Sequence, residues 1–186
     1  MHVLTSGAGV LAALAVLATS GVTCAQNPST SPYVAQQTRD IKSLSAADID
    51  AYLSGKGMGL ARAAELNGYA GPAHVLELAS QLTLTPTQRV DSQALFDSMQ
   101  ERARALGREL VDEERTLDGL FANGTVTPQL LENSLARIAS LQARLRGTHL
   151  EAHLAQASIL TPEQNAHYAQ LRGYGGAPEH GDHGGR

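Results

Sequence analysis

His149 and His153 stand four residues apart with Glu151 between them. On one helix both imidazoles would face the same side and can share a divalent ion such as zinc or nickel. The plainer reading is that the two rings occupy the edge of a packed stripe, since spacing fixes no third ligand; His167 could approach only if its own segment folds back. His180 and His183, with Asp182, form a looser cluster in a glycine-rich end, which is either a weak metal-binding tail or a solvated terminus. Beyond the first residue the only methionines are Met58 and Met99, too few for a methionine-rich copper or nickel site. Glu109, Asp112, Glu113 and Glu114 gather carboxylates, but Arg108 and Arg115 flank them, as on a solvated helix face. Serine and histidine occur without the strand, turn and helix context of a nucleophile, so no catalytic residue is assigned and the chain is read as not an enzyme.

The elements that must carry these groups are organised by two copies of one phrase, Leu84-Thr85-Pro86-Thr87-Gln88 and Leu160-Thr161-Pro162-Glu163-Gln164. Each reads as a helix start. The threonine caps free backbone N–H groups, proline is tolerated at the first helical position, and a glutamine three residues after the cap can reach back to the cap's own N–H. From Pro86 to about Phe121, the positions Met99, Ala103, Leu106, Leu110, Leu117 and Leu120 form a seven-residue seam, interrupted at Glu113, where the helix is expected to leave its partner. At ~1.5 Å per residue this helix is about 54 Å long, which predicts an elongated domain. Ala122-Asn123-Gly124 ends it and Thr127-Pro128 opens another, with Val126 and Leu131 placed for a hydrophobic staple. Leu131, Leu135, Ile138, Leu141 and Leu145 form the second apolar face, continued by Leu150 and Leu154 beyond Gly147, a candidate kink or close-packing point. So short a connection makes the two helices an antiparallel hairpin.

Ahead of the hairpin, residues 43–72 are read as short helices and Gly-rich turns. Ser45 and Asp48 cap a helix through about Leu53, and Gly55, Gly57 and Gly59 break it. Gly59 to Leu66 is rich in helix formers and stops at Asn67-Gly68, and Pro72 begins a helix of roughly three turns bearing Val75, Leu76, Leu78, Ala79 and Leu82. Residues 26–42 read as a flexible leader and residues 173–186 as a disordered Gly/His tail. Residues 1–25 read as a signal peptide, with an apolar run from Gly9 to Ala18 and cleavage after Ala25. Acylation at Cys24, the single cysteine, is less favoured, because Gly21-Val22-Thr23 lacks the usual lipoprotein residues. After cleavage no cysteine remains, which excludes disulfides and thiol chemistry. The formal charge of −4 and the lack of a basic run argue against nucleic acid, and the absence of Trp with only two Phe argues against an aromatic-lined pocket.

The export signal, about four helices and Leu-Thr-x-x-Gln at two helix starts resemble the Spy/CpxP family of periplasmic proteins over residues 73–172. The resemblance assigns the family motif to Leu84, Thr85, Gln88, Leu160, Thr161 and Gln164. It implies an all-α fold, a hairpin of two long antiparallel helices with short flanking helices, paired as an antiparallel homodimer. It further implies an ATP-independent chaperone or envelope-stress protein that holds unfolded or misfolded clients on a shallow helical surface, with no cofactor required. The alternative is a periplasmic protein of the zinc, nickel or cobalt resistance type, which binds or senses divalent metal through His149, His153, His180 and His183. Neither reading involves nucleic acid or stable membrane insertion after signal cleavage. This chain departs in its slight acidity from the basic cradle of the family's best-known chaperone, and the segment from Gly55 to Gly71 has no counterpart in the family pattern.

Overall fold

The computed structural model describes residues 31–174; the stretch read as a signal peptide, with Cys24, most of the stretch read as a leader, and His180, Asp182 and His183 lie outside the described residues. The chain divides after Val34, and every helix considered below belongs to the unit that begins at Ala35. Among the described residues there is no strand. The α-helices are α1 (Ala46–Ser54), α2 (Arg62–Glu65), α3 (Pro72–Glu77), α4 (Pro86–Ala122), α5 (Pro128–Ile159) and α6 (Pro162–Leu171). The all-helical class and the hairpin of two long helices, α4 and α5, are therefore as expected.

Ala103, Leu106 and Leu110 of α4 bury against Ile138, Leu141 and Leu145 of α5, and Tyr52, Leu60, Met99 and Leu117 cover the edges. Two details differ from the sequence reading. Leu135 is 50% and Leu154 56% exposed, while Ser134, Thr148 and Gln156 are buried in the contact. Register, not hydrophobicity, decides which residue faces the partner, and Ser134, Ile138, Leu141, Leu145, Thr148, Ala152 and Gln156 keep one face by steps of three and four. Nor does α4 leave its partner at Glu113. That carboxylate is buried and receives Arg137 Nε of α5 at 2.9 Å, and Leu117 beyond it still packs on the core.

The flanking segments are shorter than their propensities suggest. α2 is a single turn, and α3 gives way after Glu77 to turns that end with Thr83 at φ 49° and Leu84 N–H bonded to Ala79 O. This is a left-handed closure of the kind that stops a helix. The chain is already anchored before Lys42: Ile41 is fully buried, Lys42 gives its backbone N–H and its ammonium to Asp118, and Ser43 bonds Glu114.

Two glycines in the long helices have opposite roles. A Cβ on Gly107 would lie 2.1 Å from the carbonyl oxygen of Tyr52, so α1 crosses α4 where only glycine leaves room. A Cβ on Gly147 would meet nothing nearer than Glu151 Oε1 at 3.9 Å, so close packing does not explain this glycine. Gly147→Ala is therefore expected to raise the unfolding free energy by about 0.5–1 kcal/mol, read as a higher urea midpoint at unchanged slope.

Candidate functional site

The two capped starts form one structure. Thr85 Oγ1 accepts Gln88 N–H at 3.1 Å while Gln88 Oε1 accepts Thr85 N–H at 3.1 Å; Thr161 and Gln164 repeat this at 3.2 and 2.9 Å. The spare amide of each glutamine then crosses over. Gln88 Nε2 donates to Gln164 Oε1 (2.8 Å) and Ile159 O (3.0 Å), and Gln164 Nε2 donates to Gln88 Oε1 (3.1 Å) and Leu82 O (3.1 Å). Leu84 and Leu160 meet in the same buried cluster with Val75, Leu82 and Tyr168. The six motif residues thus fasten the start of α4 to the start of α6, a junction of two capping boxes that neither pentapeptide displays alone. Thr85→Ala or Thr161→Ala is expected to cost about 1 kcal/mol each in chemical denaturation, since each removes one cap bond.

Beside this junction, Gln156 Nε2 donates to Ser92 Oγ at 2.9 Å, and both residues are fully buried. Sequence reading passes over the pair, although a glutamine and a serine at seam positions of two facing helices are its signal.

His149 and His153 do come together, as lining of one cleft of about 600 Å³ between α4, α5 and the Gly55–Gly71 segment. His153 Nδ1 lies 2.8 Å from Tyr69 O; a carbonyl can only accept, so Nδ1 is the donor. Its Nε2 faces Gly71, where a Cβ would lie 2.9 Å away. His149 is 5% exposed, and its Nε2 has no hydrogen-bond partner. Burial, and then the neighbouring His153, push its pKa below the usual 6.5. The folded chain therefore holds this proton less well than the unfolded chain does. The contribution to stability is whole above about pH 6.5 and declines as the pH falls through that value. The urea midpoint is expected to drop between pH 7 and pH 5, with a shallower slope for His149→Gln.

Glu65, which carries no signal in the sequence, ties this cleft to α6. Its Oε1 accepts from Tyr168 Oη (2.7 Å), Tyr174 Oη (3.1 Å) and Arg172 Nε (3.3 Å), and its Oε2 lies 3.7 Å from His153 Nδ1. Burial and this carboxylate hold the Tyr168 hydroxyl well above its ordinary pKa. Among the described residues no three His, Cys, Asp or Glu side chains gather as a metal site, and His167 is exposed on α6, outside the cleft. Of the carboxylates expected on a solvated face, Asp112 pairs with Arg115 and Glu109 with Arg144, Glu114 accepts from Ser43, and Glu113 is buried.

Fold and junction together define an all-helical protein whose long hairpin is closed by two interlocked capping boxes. The chain belongs to the LTXXQ motif family, whose model, described as LTXXQ motif family protein, matches residues 72–172. This agrees with the Spy/CpxP resemblance and covers both pentapeptides. Comparisons with curated proteins and with solved structures returned no match. Members of the family are typically periplasmic, and the family suggests a protein of the chaperone or metal-resistance type. No helix among the described residues is long and apolar enough to cross a membrane.

Proposed function

We propose that the protein is an ATP-independent periplasmic chaperone that holds unfolded proteins on the helical hairpin, working as a homodimer without a cofactor or catalytic step. The observation that carries this reading is the set of large apolar side chains left in solvent on α4 and α5: Val90 (67%), Phe121 (58%), Leu154 (56%) and Leu135 (50%). Both helices already have their core and caps satisfied, so these groups are available to apolar segments of other chains. The purified protein should slow aggregation of an unfolded model protein at near-stoichiometric ratio without nucleotide. No protection at several-fold excess would overturn the reading, and sedimentation tests the dimer.

A second reading, periplasmic binding or sensing of zinc or nickel, is favoured by one observation: His149 and His153 line the same cleft, and His153 donates its Nδ1 proton to a backbone carbonyl, the outer contact typical of metal-ligating histidine. His180 and His183 would supply further ligands from the tail. Calorimetry with each ion, on the native chain and on His149→Ala/His153→Ala, decides between the readings. Dissociation constants weaker than millimolar leave these histidines a structural role.

A further inference from the structure

The cleft that holds His149 and His153 owes one wall to residues the family match does not reach. The match begins at residue 72, whereas Gly55, Met58, Gly59, Ala61, Arg62 and Glu65 line the cleft from outside it. The opposite wall comes from the hairpin, chiefly Phe96, Met99 and Ala152. A volume of about 600 Å³ with mostly apolar walls suits a large buried anchor group. A second recess of about 490 Å³ adjoins it, sharing Gly59, Arg62 and Leu66 and adding Arg146 of α5.

Charge is uneven around this pair of recesses. Lys56 is answered by Asp50 at 2.7 Å and His74 by Glu77 at 2.8 Å, and Glu65, the one acid in the walls, is already met by Arg172 and two tyrosine hydroxyls. Arg62 and Arg146 make no ion pair among the described residues. Two guanidiniums on different helices, facing one recess without an anion of their own, fit an occupant with more than one carboxylate.

We propose that these joined recesses form a docking site for a client segment in which a large apolar side chain, seated in the first recess, is flanked by aspartate or glutamate that meets Arg62 and Arg146 in the second. The assignment rests on the chaperone reading and adds to it a preferred client chemistry. The Gly55–Gly71 segment then serves to build a pocket for one anchor residue beside a hairpin that otherwise offers only scattered apolar side chains. A single-headed amphiphile would fill the first recess but leave one guanidinium unanswered, so an acidic peptide is the better match.

The test uses the whole protein and a fluorescein-labelled heptapeptide with a Leu-Phe-Leu centre and two aspartates at each end, followed by anisotropy. A counterpart with lysines in place of the aspartates is expected to bind about tenfold more weakly or worse, equivalent to ~1.4 kcal/mol. Arg62→Glu, at an exposed position, is expected to weaken the acidic peptide by a similar factor. So is Met58→Asp, because Met58 lies at φ 46°, a conformation aspartate tolerates, and is 42% exposed. Circular dichroism melts establish that both variants fold. Equal affinity for the two peptides, unchanged affinity in both variants, or displacement of the peptide by sub-stoichiometric dodecanoate would overturn the proposal. Aggregation assays run alongside separate the two levels: protection without peptide binding removes the docking site and leaves the chaperone, whereas loss of both removes both.

Discussion

Gly107→Ala lowers the unfolding free energy by about 2–3 kcal/mol, although the same substitution in an exposed helix would stabilise it by ~1 kcal/mol. The sign is decided by geometry. The new methyl carbon would stand 2.1 Å from Tyr52 O and 2.7 Å from Tyr52 C, and neither is the end of a flexible side chain that can swing aside. Relief requires α1 to lift from α4, which withdraws Tyr52 from the hairpin core and strains the left-handed Gly55 closure that packs against Gln100 and Arg104. Urea denaturation monitored by circular dichroism reads the loss, with Gly147→Ala as the internal control of opposite sign. A gain at Gly107 equal to the gain at Gly147 would mean that α1 does not sit on α4 as described.

Gln88→Ala and Gln164→Ala are each expected to cost about 2–3 kcal/mol, more than either threonine cap, because each glutamine makes one local bond and joins a shared set across the junction. Removing Gln88 leaves Gln164 Oε1 and Ile159 O without the amide that served them. Removing Gln164 does the same to Gln88 Oε1 and Leu82 O. Since the central bonds are common to both, the double variant is expected to lose at least ~1 kcal/mol less than the sum of the singles. Strict additivity would show two independent capping boxes that merely lie near one another.

How much of this is legible in the sequence depends on the range of the interaction. Local chemistry can be read: Thr85 with Gln88 and Thr161 with Gln164 each form the capping box expected, Ser45 caps a helix with Asp48 in its first turn, and Pro86, Pro128 and Pro162 each open a helix. The antiparallel hairpin follows from a short connection between two long periodic runs. What fails is register. Leucines at positions 135 and 154 outcompete Ser134, Thr148 and Gln156 in a reading by hydrophobicity, yet one continuous face is set by geometry and carries whatever residues fall on it. Contacts between residues far apart in the chain leave no trace in spacing, above all Glu65 with Tyr168 and Arg172, and the wall that the glycine-rich segment builds over His149. Of the candidate metal residues, His149 and His153 do share one side of one helix, but the cleft they line depends on the fold of residues far from them in sequence.

The carboxylate of Glu65 bears on what counts as one unit. The family match begins at residue 72, seven positions after the residue whose single oxygen holds Tyr168, Arg172 and Tyr174. A shortened chain starting at Pro72 would keep every residue by which its kinship is recognised. It would also leave a buried phenol and a guanidinium without their acceptor, and the core of α4 without Tyr52 and Leu60. The stretch that the family model matches and the stretch that shares one core thus have different borders here: the segment before residue 72 supplies Tyr52, Leu60 and Glu65 to contacts with the matched part.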